Sequence, residues 1–384
     1  MHFQLTIVNI FILFLLLLIF AGQMAISFRK RYKDTKFQDF QPRTLLIVPI
    51  KGLDPTIKEN LLSLKNQNYK NFEILAVIDS DEEPVLPILK DLDISYMISS
   101  SSCASCSGKV RAIATAFENT TGYDVYAVAD SDATFGTDWL SSLIPPLTDS
   151  KIGVSTTFPH FIPVSGLWSR IKSVWGLVGI GLMQSRITRF VWGGSMAFRS
   201  EILTSENIEF FKKHVSDDVA IMRIVKKLGL DIHYVMKAAP NIYSPDDFQT
   251  FREWSNRETA LSISASRSIL WYGLLFYGSQ IILLIGSIIF AVLYSTLFIV
   301  LIIPYLLFAV RNVENYHKPS LSVIIPYLLF AVRNVENYHK PSLSVFIIAL
   351  IIPFISMYNL LKASRMNNIT WRGNDYDLTR QPSN

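Results

Sequence analysis

The apolar residues of this 384-residue chain gather at its two ends, and that distribution limits the fold more than any single motif does. From Phe3 to Phe28 the strongly polar residues are Gln4, Asn9 and Gln23, and Ile10 to Phe20 is unbroken apolar sequence. The stretch predicts one membrane-spanning helix within residues 1–28. A secretory signal is the competing reading, but such signals carry a basic segment ahead of the apolar core, and here the basic residues come after it. They are Arg29, Lys30, Arg31, Lys33 and Lys36. Positive charge marks the cytoplasmic flank of a span, so the chain is expected to be an integral membrane protein with its N-terminus outside and its polar middle in the cytoplasm.

The other end is apolar from Ile269 to about Val310, which fits two spans joined near Tyr294-Ser295-Thr296, and Leu343 to Leu361 adds another. The C-terminal membrane region is thus 269–362, followed by a polar tail, 363–384. Inside it the segment 302–323 is repeated letter for letter as 324–345. The apolar half of the copy, Ile324 to Val332, is too short to cross a bilayer, so the repeat reads as a recent duplication or an assembly error. It leaves open the number of crossings and the side of the tail.

The net charge of +5 is absorbed by membrane orientation. No basic stripe interleaved with aromatics occurs in the middle region, so no nucleic-acid partner is expected. Cys103 and Cys106 form a single Cys-x-x-Cys in a serine-rich loop. Zinc needs about four ligands and there is no second pair, which favours reduced thiols packed in the loop.

The middle, residues 29–268, alternates short β-rich runs with helical stretches, the pattern of an α/β sheet. Strands are expected at Thr44–Ile50, Phe72–Ile78, Ile94–Ile98, Val125–Ala129, Ile152–Phe158, Val191–Phe198 and, as the last, Ile232–Val235. Helices are expected from Pro55 to about Gln67, Gly108 to Glu118, Asp217 to Leu228 and Phe248 to Ser266. Residues 166–190 set Leu167, Trp168, Ile171, Val174, Trp175 and Leu177 against Arg170, Lys172, Arg186 and Arg189. That suits a helix lying in the membrane interface, with a helix packed on the soluble core as the alternative.

Acidic residues stand where these strands end or a helix begins: Asp79, Asp130 with Asp132, and Asp217 with Asp218. Asp130-Ser131-Asp132 follows the run Val125 to Ala129, at the sheet edge where α/β folds bind ligands and where an oxygen-ligated cation bridges phosphates. Asp-x-Asp by itself is a weak signal, common in solvated turns. Three acidic sites in this order are harder to explain away.

Their order resembles the family 2 glycosyltransferases of the GT-A fold, most closely the membrane-bound, ceramide glucosyltransferase-like family 21 branch. Further matching elements are Val48-Pro49-Ile50-Lys51-Gly52, Ser107-Gly108-Lys109-Val110-Arg111, Gly193-Gly194-Ser195-Met196-Ala197-Phe198, Ser216-Asp217-Asp218 and the tail Trp371-Arg372-Gly373-Asn374-Asp375-Tyr376. The resemblance implies a GT-A nucleotide-diphospho-sugar transferase domain with a Rossmann-like mixed sheet, and transmembrane helices at both ends. It implies a UDP-sugar donor and a divalent cation, magnesium or manganese, held by Asp132 with Asp130.

On the same basis Asp79 hydrogen-bonds the uracil or ribose, with a strand-end turn residue as its plainer reading. Lys109 lies near the pyrophosphate, unless it is an ordinary surface lysine. Gly193 and Gly194 let backbone approach the sugar or acceptor, or else mark a bulge. The general base is the last acid of Ser216-Asp217-Asp218, namely Asp218, while Ser216 and Asp217 also suit the cap and first turn of a helix. The wider family's Gln-x-x-Arg-Trp motif is matched only in elements, not in spacing, by Gln249 to Glu258. From that segment Arg257, for the diphosphate, and Trp254, walling the adjoining acceptor pocket, join the donor-site candidates. A helix facing lipid headgroups explains both nearly as well.

The expected activity is inverting transfer of a hexose, glucose from UDP-glucose, to a hydroxyl of a membrane lipid. A processive polysaccharide synthase is the enzyme alternative. A non-catalytic transporter or scaffold that binds nucleotide sugar is the alternative of another class, opposed by the absence of ionisable residues from Ile269 to Val310. Neither the lipid nor the oligomeric state is legible. Two sequons, Asn119-Thr120-Thr121 and Asn368-Ile369-Thr370, report on topology.

Overall fold

The computed structural model describes residues 6–28, 32–103, 105–317 and 343–380. The exact repeat lies largely outside the described residues, as do Arg29, Lys30 and Arg31 of the basic flank. Within the described residues the chain forms two compact units. One comprises Met1–Arg31, Ser165–Gly181 and Asp246–Met366; the other comprises Tyr32–Val164, Leu182–Pro245 and Asn367–Asn384.

The second unit is built on strands β1 (Thr44–Pro49), β2 (Phe72–Ile78), β3 (Ser95–Ile98), β4 (Val125–Ala129), β5 (Ala133–Thr134), β6 (Ile152–Thr156), β7 (His160–Pro163), β8 (Ser195–Arg199), β9 (Asp231–Tyr234), β10 (Asn241–Ser244), β11 (Asn368–Trp371) and β12 (Asn374–Asp377). Seven of them form one mixed sheet in the order β3-β2-β1-β4-β8-β6-β9. β1 pairs in parallel with β2 and β4, and β2 with β3, whereas β8 runs antiparallel to both β4 and β6. Strands covered on both faces need continuous apolar sequence. Accordingly Leu46, Ile47 and Val48 of β1, Ala76 to Ile78 of β2 and Ala127 to Ala129 of β4 have no solvent exposure.

Strand order places the site. The chain steps from β1 outward to β2 and β3, then returns to lay β4 on the other side of β1. The order therefore reverses between β1 and β4, and the crevice beyond the C-terminal ends of such strands is where open α/β sheets bind ligands. Asp130 to Asp132 leave β4 there, beside Lys51 to Asp54 after β1. A three-stranded sheet, β5-β10-β7, takes the chain immediately after Asp132.

β10 follows the strand expected to be last; four residues with no clear alternation carry too little pattern to be read. The strand expected at Val191–Phe198 begins only at Ser195. Trp192 to Gly194 form a turn closed by Ser195 N–H donating to the Trp192 carbonyl at 3.2 Å, so the glycine pair lies before the strand. The helix expected to reach residue 190 ends at Met183. Cys103 and Cys106, expected as free thiols, are joined as a disulfide with Cα atoms 5.8 Å apart.

Among the described residues of the first unit, three helices are long and apolar enough to cross a membrane: Ile7–Ser27, Ser268–Leu293 and Ser344–Ala363. The turn at Tyr294 to Thr296 is present, but the second apolar segment expected there, Thr296–Asn312, is shorter than a spanning helix among the described residues. Glycines let these helices approach closely, as is common where lipid gives no hydrophobic drive to association. A Cβ at Gly286 would lie 2.9 Å from Leu16, and one at Gly273 2.6 Å from Leu360. Gln280 donates to Gln23 at 2.6 Å, a polar bond between two apolar helices.

The helix Gly166–Met183 belongs to this unit up to Gly181, and so does Phe248–Ala265. Trp168 stacks on Phe251, and Trp175 donates to Asn359 Oδ1 at 3.2 Å. Lys172, expected on a basic outer face, is buried. Its ammonium lies 2.9 Å from the carboxylate of buried Asp246 and 4.6 Å above the ring of Trp254.

Candidate functional site

Lys109 lies near the start of the helix Gly108–Asn119, whose cap is Ser107; the Ser107 hydroxyl accepts the Val110 N–H at 3.2 Å. A cation there opposes the helix dipole. Two carboxylates offset that cost: Lys109 Nζ is 2.6 Å from Asp130 Oδ1 and 3.2 Å from Asp217 Oδ2. The lysine side chain is only 14% exposed and that of Asp217 3%. The competing burial and paired charges leave Lys109 firmly protonated, held above its ordinary pKa by Asp130 and Asp217. Burial pushes Asp217 up to about 6 against the pull of that ammonium.

Gly193 and Gly194 make this cluster possible. A Cβ at Gly193 would collide with the Asp217 carboxylate, and one at Gly194 with Trp192 and with Asp130 Oδ2. Asp130 N–H donates to the Gly194 carbonyl at 3.1 Å, so the turn and the end of β4 lock together. The two glycines thus lie in a turn ahead of the strand, with backbone packed closely on carboxylates.

The neighbouring acids of the helix Asp217–Lys227 have separate environments. Ser216 occupies the cap position, but its hydroxyl bonds to Asp218 Oδ1 instead of capping the backbone. Asp218 also accepts the Val219 N–H at 2.7 Å and the Gly193 N–H at 3.4 Å. It is half-buried, whereas Asp217 is sealed.

Asp132 is partly exposed as a residue, yet its Oδ1 is enclosed and has no hydrogen-bond partner among the described residues. Burial, then the charges of Asp130 and Asp54, push its carboxyl up to about 6. A buried, orphaned carboxylate oxygen crowded by other acids is what a cation would relieve. The residues thus fit a divalent ion. Among the described residues no group of three metal-ligating side chains occurs, so Asp130 and Asp132 are a partial donor set for a hard cation that takes six or more oxygens.

Asp79, just beyond β2, is held by Lys51 Nζ at 3.2 Å and by Arg111 Nη2 at 3.2 Å. Arg111 also lines an open cleft of about 510 Å³ with Ser101, Ser102 and Cys103. Arg257 and Trp254 lie in the membrane-helix unit, where Arg257 pairs with Glu258 at 3.0 Å and Trp254 packs on Trp175 with ring centroids 5.0 Å apart. Lys109 bridges Asp130 and Asp217, Gly194 packs on Asp130 and Gly193 on Asp217, and Asp218 joins them through Gly193.

Three residues given no role from sequence stand at this edge as well. Asp54 accepts from Ser131 Oγ at 3.5 Å, Asn60 donates to the Ser131 carbonyl at 2.9 Å, and Arg372 donates to the Lys51 carbonyl at 2.6 Å. Asp54 lies just past a matched strand end and Arg372 inside a matched segment, but nothing in the sequence said that their side chains turn to this edge, and Asn60, within the helix Ile57–Lys65, carried no signal at all.

Among solved structures, the fold is similar to a mannosyltransferase from Pyrobaculum calidifontis solved with GDP-Man and Mn2+. That likeness covers 91% of this chain and 93% of that one, with 15% identity and a TM-score of 0.50. Glucosyl-3-phosphoglycerate synthase from Mycobacterium tuberculosis, with Mn2+ and UDP-glucose, matches 64% of this chain and 82% of its own at 13% identity and a TM-score of 0.42. At these identities the first likeness speaks to the fold, which is GT-A. The sequence description of glycosyl transferase family 21 matches residues 10–383, nearly the whole chain. With that span matched and a GT-A sheet carrying its acids at the switch point, the chain belongs to glycosyl transferase family 21 and is a glycosyltransferase.

Proposed function

We propose that this chain is a membrane-bound inverting glycosyltransferase that moves a hexose, glucose from UDP-glucose, onto a hydroxyl of a membrane lipid such as a ceramide-like acceptor or glycolipid precursor. The observation that carries the reading is the separation of roles at the β4 edge: an orphaned Asp132 oxygen for a cation, a buried Lys109 clamp, and a half-buried Asp218. Asp132 with Asp130 would hold magnesium or manganese, which when bound supplies positive charge to the diphosphate leaving group.

The chain's own residues do the rest. The acceptor oxygen bonds to the anomeric carbon as the bond from that carbon to the diphosphate oxygen breaks; the electron pair leaves with UDP and the hydroxyl proton passes to Asp218. A single displacement inverts the anomeric centre. Backbone N–H groups of Val219 and Gly193 orient the Asp218 carboxylate. Asp79, between Lys51 and Arg111, is the donor's nucleoside contact, beside the cleft that Arg111 lines.

Residues 29–268 are read as the cytoplasmic side of this enzyme, with the N-terminus outside. Helix Gly166–Met183, grouped with the spanning helices, is read as interfacial, and Arg257 and Trp254 as its donor- and acceptor-facing neighbours. A lipid acceptor then reaches the site laterally.

The test is a donor panel, UDP-glucose among other nucleotide sugars, with total membrane lipid and mass spectrometry of the products. Glucosylated lipid is expected from UDP-glucose; polymer in place of glycolipid would sink the lipid reading. Asp218→Asn is expected to lower kcat by about 10²-fold or more while UDP binding stays within about twofold, the size of a general-base loss. Full turnover in that variant would remove Asp218 as base.

A further inference from the structure

We infer that the C-terminal hairpin is part of the donor site, with Arg372 at its tip supplying a guanidinium to the diphosphate of the nucleotide sugar. This rests on the nucleotide-sugar reading above and adds a residue to it.

β11 and β12 pair with Trp371 opposite Asn374, leaving a two-residue turn, Arg372-Gly373. Both central residues have positive φ, 47° and 77°, the type I′ geometry that suits Asn-Gly. An arginine there costs more than asparagine would, and strain kept at one position points to a use for its side chain. The side chain is directed at the edge of the large sheet. Its Nη1 donates to the Lys51 carbonyl at 2.6 Å and its Nη2 to Asp54 Oδ2 at 3.4 Å. The same Asp54 oxygen accepts from Ser131, the residue between Asp130 and Asp132. On the second strand, Tyr376 Oη accepts the Gly108 N–H at 3.4 Å, next to Lys109. The hairpin thus touches both the loop after β1 and the start of the helix carrying Lys109, two elements that border the end of β4.

Charge assignments favour Arg372 for the phosphates. Lys109 is committed to Asp130 at 2.6 Å and Asp217 at 3.2 Å, and Lys51 and Arg111 each hold Asp79 at 3.2 Å. Arg372 makes the longest of these carboxylate contacts, 3.4 Å; its side chain is 40% exposed, as open to a ligand as Lys51 and Arg111 and unlike the enclosed Lys109. A planar guanidinium binds phosphate oxygens through two N–H groups at once, which a lysine cannot do.

The experiment uses the full-length chain in lipid nanodiscs, titrated calorimetrically in the presence of Mn2+ with UDP, GDP and the corresponding monophosphates. Arg372→Ala should weaken the diphosphate by about tenfold and the matching monophosphate by less than about threefold; Arg372→Lys, which keeps the charge, should recover part of the loss. A purely structural arginine would weaken both ligands alike, and that result, or an unchanged diphosphate affinity, overturns the inference. A wild-type chain that binds neither diphosphate overturns the nucleotide-sugar reading and this inference with it. Wild-type binding with an indifferent Arg372 leaves the first standing and removes the second.

Discussion

Lys109 has two readings from sequence, a phosphate ligand or a surface lysine, and packing assigns it a third position between Asp130 and Asp217. The acids themselves were legible, because carboxylates after apolar strand runs stand out. The resemblance singled out Asp218, but that Asp217 is sealed while Asp218 stays half-exposed depends on helix phase and packing, which the sequence does not display. Asp132 gives the prediction at this scale. With its carboxyl raised to about 6, protons compete with the cation, so Mn2+ affinity should be full above that pH and fall about tenfold per unit below it. Calorimetric titration across that range checks this, and affinity unchanged down to pH 5 would count against Asp132 as ligand. In the metal-free protein the sign reverses. A carboxyl whose folded pKa is raised stabilises the fold below its unfolded value of 3.8 and loses that contribution as pH rises through about 6. Asp132→Asn should therefore melt no lower than wild type above pH 6 without metal, and should lose the Mn2+-induced rise in Tm.

Among elements, the strands of the parallel half were readable because burial on both faces demands unbroken apolar runs, as in β2 and β4. β10 and the true start of β8 were not. Four residues pairing with β5 and β7, and a glycine turn held against two carboxylates, are decided by partners distant in sequence. The helix Asp217–Lys227 carries a testable consequence through His214, just before it. His214 Nδ1 lies 2.9 Å from the Phe210 carbonyl and Nε2 lies 3.2 Å from Arg223 Nη1. Arginine only donates, so Nε2 must accept and the imidazole is neutral, with its proton on Nδ1. Burial lowers its pKa from 6.5 to about 4. Its contribution to stability is therefore present above pH 6.5 and is lost as pH falls towards 4, because the unfolded chain takes up the proton first. Thermal melts from pH 7 to 4 should show Tm falling in that window, and His214→Gln should flatten the fall. An equally steep fall in the variant would exclude His214 as the source.

For the whole molecule, the tail 367–380 belongs to the same compact unit as residues 32–164 and 182–245, so on the proposed reading it is expected on the cytoplasmic side as well. On the proposed topology both sequons face the cytoplasm. Expressed in a glycosylating host, neither Asn119 nor Asn368 should carry a glycan; an endoglycosidase-sensitive mobility shift abolished by Asn119→Gln or Asn368→Gln would invert the arrangement.

Sequence alone determined what depends on local pattern: apolar length sufficient to span a bilayer, strand runs ending in acids, and the family whose motifs those acids belong to. Tertiary structure decided what depends on distance between remote segments. It sealed Asp217 against Lys109, left Asp132 with an unmatched oxygen, fitted two glycines against carboxylates, and brought Arg372 back to the loop after β1. The physical reason is that periodicity records which face a residue presents, while charge pairing and burial depend on which remote side chain occupies the same few ångströms.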